Sequence, residues 1–284
     1  VKVLLDALLQ PQVALKIDRA MTLAVEVAEY SQAWLRDNPP SVRETLYDWG
    51  SEFHIVSQEG PGPEIGIKLS ECIHHARTVL DHMVWDLVER GGESPRYQAF
   101  PVCKSPSEFS KKLGRELLHV PASAVDLIRT VQPFSINADN PRLAHLWVLH
   151  KISNTDKHHF LQPLSPMLAP QETQRTWDAT SSVPIRSAEW WDYTSRLLTR
   201  DIPMVDIHYD VTSERPQIEI VPGDDPWDLV VSSLANDKGD QADDPAVFLR
   251  MSWLPKVVDN VARICINLSE PAMRHAGHVR SGWE

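Results

Sequence analysis

Between Leu69 and Glu89 the apolar residues Ile73, Ala76, Leu80, Val84 and Leu87 recur every three or four positions, and Gly91–Gly92 follows. That spacing gives an α-helix one apolar side for a core, and the paired glycines end it. Over these residues the helix is about 30 Å long, near the diameter of a small domain.

Other segments follow the same rule. Asp18–Leu35 predicts a helix capped by Asp18, with Pro39–Pro40 beyond its end. Pro141–Ile152 predicts another, with Leu143, Leu146, Trp147 and His150 near one side, and shorter helices are expected over Ser107–Leu117 and Pro121–Thr130. Tyr47–Ser57 alternates weakly before the Gly60–Pro61–Gly62–Pro63 turn, which predicts a hairpin-like insertion. Beyond Pro163 the period changes to two. In Met204–Thr212, Val205, Ile207, Tyr209 and Val211 point one way and Asp206, His208 and Asp210 the other. Gln217–Val221 and Trp227–Ser233 add strands, so a half-buried antiparallel sheet is expected. Asn236–Asp244 reads as a solvated acidic loop. Leu254–Leu268 reads as a last helix packed through Val257, Val261, Ile264 and Leu268, with an irregular tail over Pro271–Glu284.

The expected class is α+β: a helical bundle with a small antiparallel β-sheet contributed by the C-terminal part. Residues 1–165 would form the bundle with its short β-like insertion. Residues 166–284 would form a loop-rich segment of antiparallel strands, with the final helix packed on the bundle. Ten Trp among 284 residues support a substantial core. The net charge of −11 disfavours a nucleic-acid-coating surface while leaving room for a local basic pocket. Cys72, Cys103 and Cys265 are odd in number and widely spaced, as in a reduced cytoplasmic protein. No apolar run reaches the length of a membrane span. The chain opens on Val1 rather than Met, which is expected of a chain whose natural N-terminus lies further upstream.

The polar chemistry concentrates in two segments. On the first helix His74, Arg77 and Asp81 share one face, with His75 and His82 on a neighbouring one. Arg77 and Asp81 have the spacing of an i,i+4 ion pair. Alternatively, Arg77 would hold a phosphate bidentately, with His82 as acid or base and Asp81 orienting the surroundings. The two side chains lie about 140° apart in projection, so a substrate would bridge them only in a groove, or two copies would pool them across a homodimer. The second segment, Asn154–His159, holds Asp156, Lys157, His158 and His159. Packed against the first, it would complete a cluster of Arg77, Asp81, His82, Asp156, Lys157 and His159. Left alone, it is a helix end whose cations face the last carbonyls.

The Arg77-x4-His82 spacing resembles the motif of HEPN-type helical-bundle ribonucleases, which implies metal-independent RNA cleavage by an often dimeric protein. Thr78 stands where such proteins often carry Asn, Asp or His, and the motif comes early in the chain. A second resemblance spans about Asp18 to Pro163. The Ala-Arg-Thr-Val-Leu-Asp-His helix, Phe100–Pro101, Gln132–Pro133–Phe134 and Asp156-Lys-His-His159 are similar to a family of uncharacterised bacterial proteins, for which no activity is implied. His159 stands where that pattern has Arg.

Glu71, His74, Asp81, His82, Asp156 and His159 are also metal-ligand types, but the Glu-x-x-His motif of di-metal bundles occurs once rather than twice. Gly-x-Gly-x-x-Gly, phosphate-loop and Gly-x-Ser-x-Gly signatures are missing, so no cofactor is expected. Three readings stay open, and whether the chain is an enzyme stays open with them. The cluster Arg77, Asp81, His82, Lys157 and His159 forms a structural polar network or a small anion-binding site. It acts as a ribonuclease on RNA, or meets a small phosphorylated ligand. Or it binds a metal.

Overall fold

The computed structural model describes residues 9–39, 41–56, 60–158, 165–168, 177–181, 184–190, 202–209, 218–222, 227–233 and 247–279. The long stripe becomes helix α2, Pro63–Arg90, and Ile73, Ala76, Leu80, Val84 and Leu87 are all buried along it. Pro63 sits at the first helical position, where its missing N–H costs nothing. At the other end Gly92 takes the left-handed φ of +83° that a side chain would resist.

Helix α1, Pro11–Asp37, starts earlier than the expected Asp18 cap. Pro11 opens it in the same way, and Val13, Ala14 and Ile17 extend the buried stripe into the added turns. α1 runs antiparallel to α2, as Lys68–Glu26 (2.7 Å), Arg19–Glu71 (3.3 Å) and Gln10–Asp86 (3.0 Å) show in turn. Short helices follow at Pro106–Leu113 (α3), Ala122–Thr130 (α4) and Pro133–Ile136 (α5). The Ser105 hydroxyl caps α3 by accepting from Glu108 N at 3.2 Å, and Glu108 reaches back to Lys104 N at 2.9 Å.

The expected Pro141–Ile152 helix divides. Pro141–Leu143 is a 3₁₀ turn, Ala144 is extended at ψ 132°, and helix α6 then runs from His145 to His158 against α2. Helix α7, Leu254–Val279, packs on both α1 and α2. It overruns the predicted irregular tail, because Pro271 removes a single N–H from the ladder and the helix continues across it.

The strands are antiparallel throughout. β1 (Val42–Tyr47) and β2 (Gly50–Ile55) form the hairpin; β5 (Ile185–Trp190) and β6 (Ile202–Tyr209) join it in a four-stranded sheet ordered β1-β2-β6-β5. β3 (Ser165–Leu168), β8 (Trp227–Ser233) and β9 (Val247–Arg250) form a second sheet, whose Leu229 and Leu249 enter the bundle core. β4 (Trp177–Ser181) pairs with β7 (Ile218–Pro222). In β6 the alternation holds: Val205, Ile207 and Tyr209 are buried, and Asp206 and His208 are less so. Val211 and the acidic stretch 236–244 lie outside the described residues.

One hairpin detail depends on a glycine. Gly50 pairs with Tyr47 on β1 and His208 on β6, so the row has a gap between two rings. The Trp49 indole stacks on both, 4.9 Å from Tyr47 and 4.7 Å from His208. A Cβ on Gly50, at φ +155°, would stand 2.1 Å from the Ile207 carbonyl oxygen.

Candidate functional site

The segment between α2 and α3, residues 96–104, has no regular structure, yet Phe100, Val102 and Cys103 are buried within it. Its backbone polar groups need partners, and side chains supply them. Arg77 Nη2 donates to the Phe100 carbonyl at 2.9 Å, and Phe100 N donates to Asp81 Oδ1 at 2.9 Å. Arg77 Nη1 closes the triangle on the same Asp81 oxygen at 2.7 Å. Gln132, fully buried on the turn before α5, accepts from Cys103 N and donates to Pro101 O, both at 2.9 Å. Gln98 holds the start of the segment, accepting from Arg96 N at 2.6 Å and donating to Leu118 O at 3.2 Å. Arg77–Asp81, Phe100–Pro101 and Gln132 therefore converge on one stretch of backbone. This is a buried polar and ion-paired network that fixes tertiary structure.

His82 faces elsewhere. It lines a cleft of about 290 Å³ at the start of α1, with Gln10, Gln12, Trp85, Asp86 and Glu89. Burial lowers its pKa, Lys16 across on α1 lowers it further, and Asp81 opposes them. Asp86 is itself engaged, by Gln10 at 3.0 Å and by Arg90 at 2.6 Å. Arg77 thus turns to the backbone of residues 96–104, and His82 to the cleft at the start of α1. Asp156 joins neither, because the Ser70 hydroxyl donates to it at 2.6 Å. His159 lies outside the described residues.

The same partnerships separate the metal-ligand candidates. Glu71 turns to Arg19, Asp81 to Arg77 and Asp156 to Ser70. Among the described residues no group of three or more His, Cys, Asp or Glu side chains could hold a metal ion. Among them, too, no helix is long and apolar enough to cross a membrane.

A different cluster assembles beside the clamp. Trp147, His150, Asn154 and Lys157 share one face of α6, three, four and three residues apart. The two rings stand 5.8 Å apart, and Lys104 Nζ lies 4.8 Å over the Trp147 ring. His150 Nε2 meets the Asn154 amide nitrogen at 3.1 Å. Burial pushes the His150 pKa down to about 3, and the positive charges of Arg77, Lys112, Lys157 and Lys151 act in the same direction. Four cations from α2, α3 and α6 therefore bear on one imidazole. Trp147 Nε1 and His150 Nδ1 are both buried and have no hydrogen-bond partner among the described residues.

The cluster expected from the sequence grouped Lys157 with Arg77, Asp81, His82, Asp156 and His159. It missed His150, Trp147, Lys104 and Lys112 as a group. The signal available was the shared α6 face, since Lys104 and Lys112 come from segments whose approach no periodicity encodes. Protein-family models, curated proteins and solved structures give no match to this chain.

Proposed function

We propose that this chain binds a small anion at the α2–α6 face, between Lys104, Lys112 and Lys157, with the Arg77–Asp81 clamp as one wall. The observation that carries the reading is Lys104 Nζ 4.8 Å over the Trp147 ring, beside a His150 on which the positive charges of Arg77, Lys112, Lys151 and Lys157 also act, in a protein of net charge −11. Like charges do not gather around a buried ring without cost. Gathered near one ring in a chain of net charge −11, they give a local positive potential. An anion seated there relieves their mutual repulsion.

The ribonuclease reading asks Arg77 to hold a scissile phosphate beside His82. Arg77 is 8% exposed, spends its guanidinium on Asp81 and Phe100, and faces away from the His82 cleft. Those facts favour binding over cleavage.

Calorimetric titration with inorganic phosphate at low ionic strength tests the proposal. Saturable binding is expected, weakening with added salt and falling several-fold in Lys157→Ala and Lys104→Ala. RNA incubated with wild type and His82→Ala should be left intact to the same extent. An absence of saturable binding up to millimolar phosphate, or binding indifferent to both lysine substitutions, overturns it.

A further inference from the structure

We infer that the cleft beside His82, between the start of α1 and the last turns of α2, binds a small organic cation, a primary ammonium on an apolar body, through the Glu89 carboxylate and the Trp85 ring. The cleft shares no lining residue with the α6 face, so this inference is independent of the anion-binding reading above.

The shape comes first. His82, Trp85, Asp86 and Glu89 follow one another at helical spacing, so one side of α2 forms a wall of the cleft. Gln10, Gln12 and Val13 form the facing wall from the start of α1. The space of about 290 Å³ lies at the small end of ligand pockets, which run from about 300 to about 1,000 Å³. It suits a small molecule and excludes a folded partner. The Trp85 indole is held in place, because its Nε1–H donates to the Gln98 carbonyl at 2.7 Å, yet the residue is 43% exposed. Its one polar group is engaged, and its ring remains as an apolar surface on the cleft.

The charges then choose the ligand. The two acidic groups that line the cleft are Asp86 and Glu89. Glu89 is exposed and makes no hydrogen bond or ion pair among the described residues. Asp86 is buried, and its Oδ1 accepts from Gln10. Its Oδ2 has Arg90 as an ion-pair partner at 2.6 Å but accepts no hydrogen bond among the described residues. The cleft therefore presents one compensated and one uncompensated negative charge beside an aromatic ring. His82 adds no opposing charge, because burial and Lys16 lower its pKa and leave the imidazole neutral. Lys16 acts at the His82 end, whereas Glu89 lies two turns further along α2, about 10 Å away. An ammonium at the Glu89 end gains a charge-assisted hydrogen bond and the attraction of the Trp85 ring for a cation. A neutral molecule of the same shape gains neither, and an anion meets both carboxylates.

The test uses the full chain labelled with ¹⁵N, titrated at about pH 7 with benzylamine, benzyl alcohol and benzoate, which share a ring and are there a cation, a neutral molecule and an anion. Benzylamine should shift the Trp85 indole resonance, assigned by its loss in Trp85→Phe, with saturation. Benzyl alcohol and benzoate should bind at least about tenfold more weakly. Glu89→Gln should weaken benzylamine about three- to tenfold and leave benzyl alcohol unchanged. Because Glu89 is exposed and unpaired among the described residues, that variant should unfold at the wild-type temperature, so a loss of binding reports the missing charge and not a damaged fold. Equal binding of the three compounds, tighter binding of benzoate, wild-type affinity for benzylamine in Glu89→Gln, or an indole resonance that stays still through millimolar benzylamine overturns the inference. None of these outcomes bears on phosphate binding at α6.

Discussion

Removing the Arg77 side chain should loosen the anchor between α2 and residues 96–104. Arg77→Ala deletes two charge-assisted hydrogen bonds, 2.7 Å to Asp81 and 2.9 Å to the Phe100 carbonyl. Each such bond contributes about 1.5–3 kcal/mol, and breaking a fully buried pair costs about 3–5 kcal/mol. Here the Asp81 side chain is 31% exposed, so water replaces part of the lost interaction, and Asp81 keeps its bond from Phe100 N. The net loss should be about 2–3 kcal/mol, a fall in Tm of about 3–5 °C for a chain of this size. Urea unfolding followed by tryptophan fluorescence measures it. Arg263→Ala supplies the internal comparison. Its ion pair with Asp259 is equally short, 2.7 Å, and also spaced i,i+4, but the arginine is 68% exposed, so its loss should cost under about 1 kcal/mol. If both substitutions cost the same, backbone clamping by Arg77 is refuted.

Three further outcomes follow from named contacts. Gly50→Ala should cost more than about 3 kcal/mol, since its Cβ would meet the Ile207 carbonyl oxygen at 2.1 Å, and loss of the Trp49–His208 stack in near-ultraviolet circular dichroism would report it; unchanged stability refutes the packing. The folded pKa of His150 lies near 3 against an unfolded value of about 6.5, so the unfolded chain takes up the proton first. Its stabilising contribution is complete above about pH 6.5 and is lost as pH falls towards 3, by up to about 1.4 kcal/mol per pH unit; denaturant melts should show a shallower acid slope in His150→Gln, and identical slopes would refute this. Burial pushes the thiols of Cys72 and Cys103 up to about 12 and Cys265 higher still, so a disulfide reagent should label all three slowly in the native protein and fast in denaturant; native labelling at the denatured rate contradicts it.

Elements whose burial is set by one local period were readable from the chain alone. The α2 stripe and the β6 alternation are of this kind, because each residue's face follows from its own neighbours. Errors fell where a local breaker met a tertiary context. Pro271 signalled an end that α7 ignores, and Pro141 opened a 3₁₀ turn rather than the helix expected from it. The hairpin illustrates a different limit. A hairpin-like insertion was expected over Tyr47–Ser57, which covers β2, while β1 runs from Val42 to Tyr47. The hairpin's partner was not visible, because the pairing of β2 with β6 joins residues some 150 positions apart, and register carries no signature in either strand alone.

The arrangement of the polar residues was hidden for a related reason. Arg77, Asp81 and His82 are neighbours in sequence, and the motif they resemble treats them as a unit. A helix turns about 100° per residue, so Arg77 and His82, five apart, project about 140° from each other. Arg77 and Asp81 go to the Phe100 backbone, and His82 goes to α1. The groups that do assemble, Trp147 and His150 with Lys104 and Lys112, lie on three separate segments. What sets them apart is two buried ring nitrogens without a partner among the described residues and several cations near one imidazole. A motif search rewards residues that could act together. The unmet ring nitrogens lie instead on the α6 face, away from the Arg77–His82 pair.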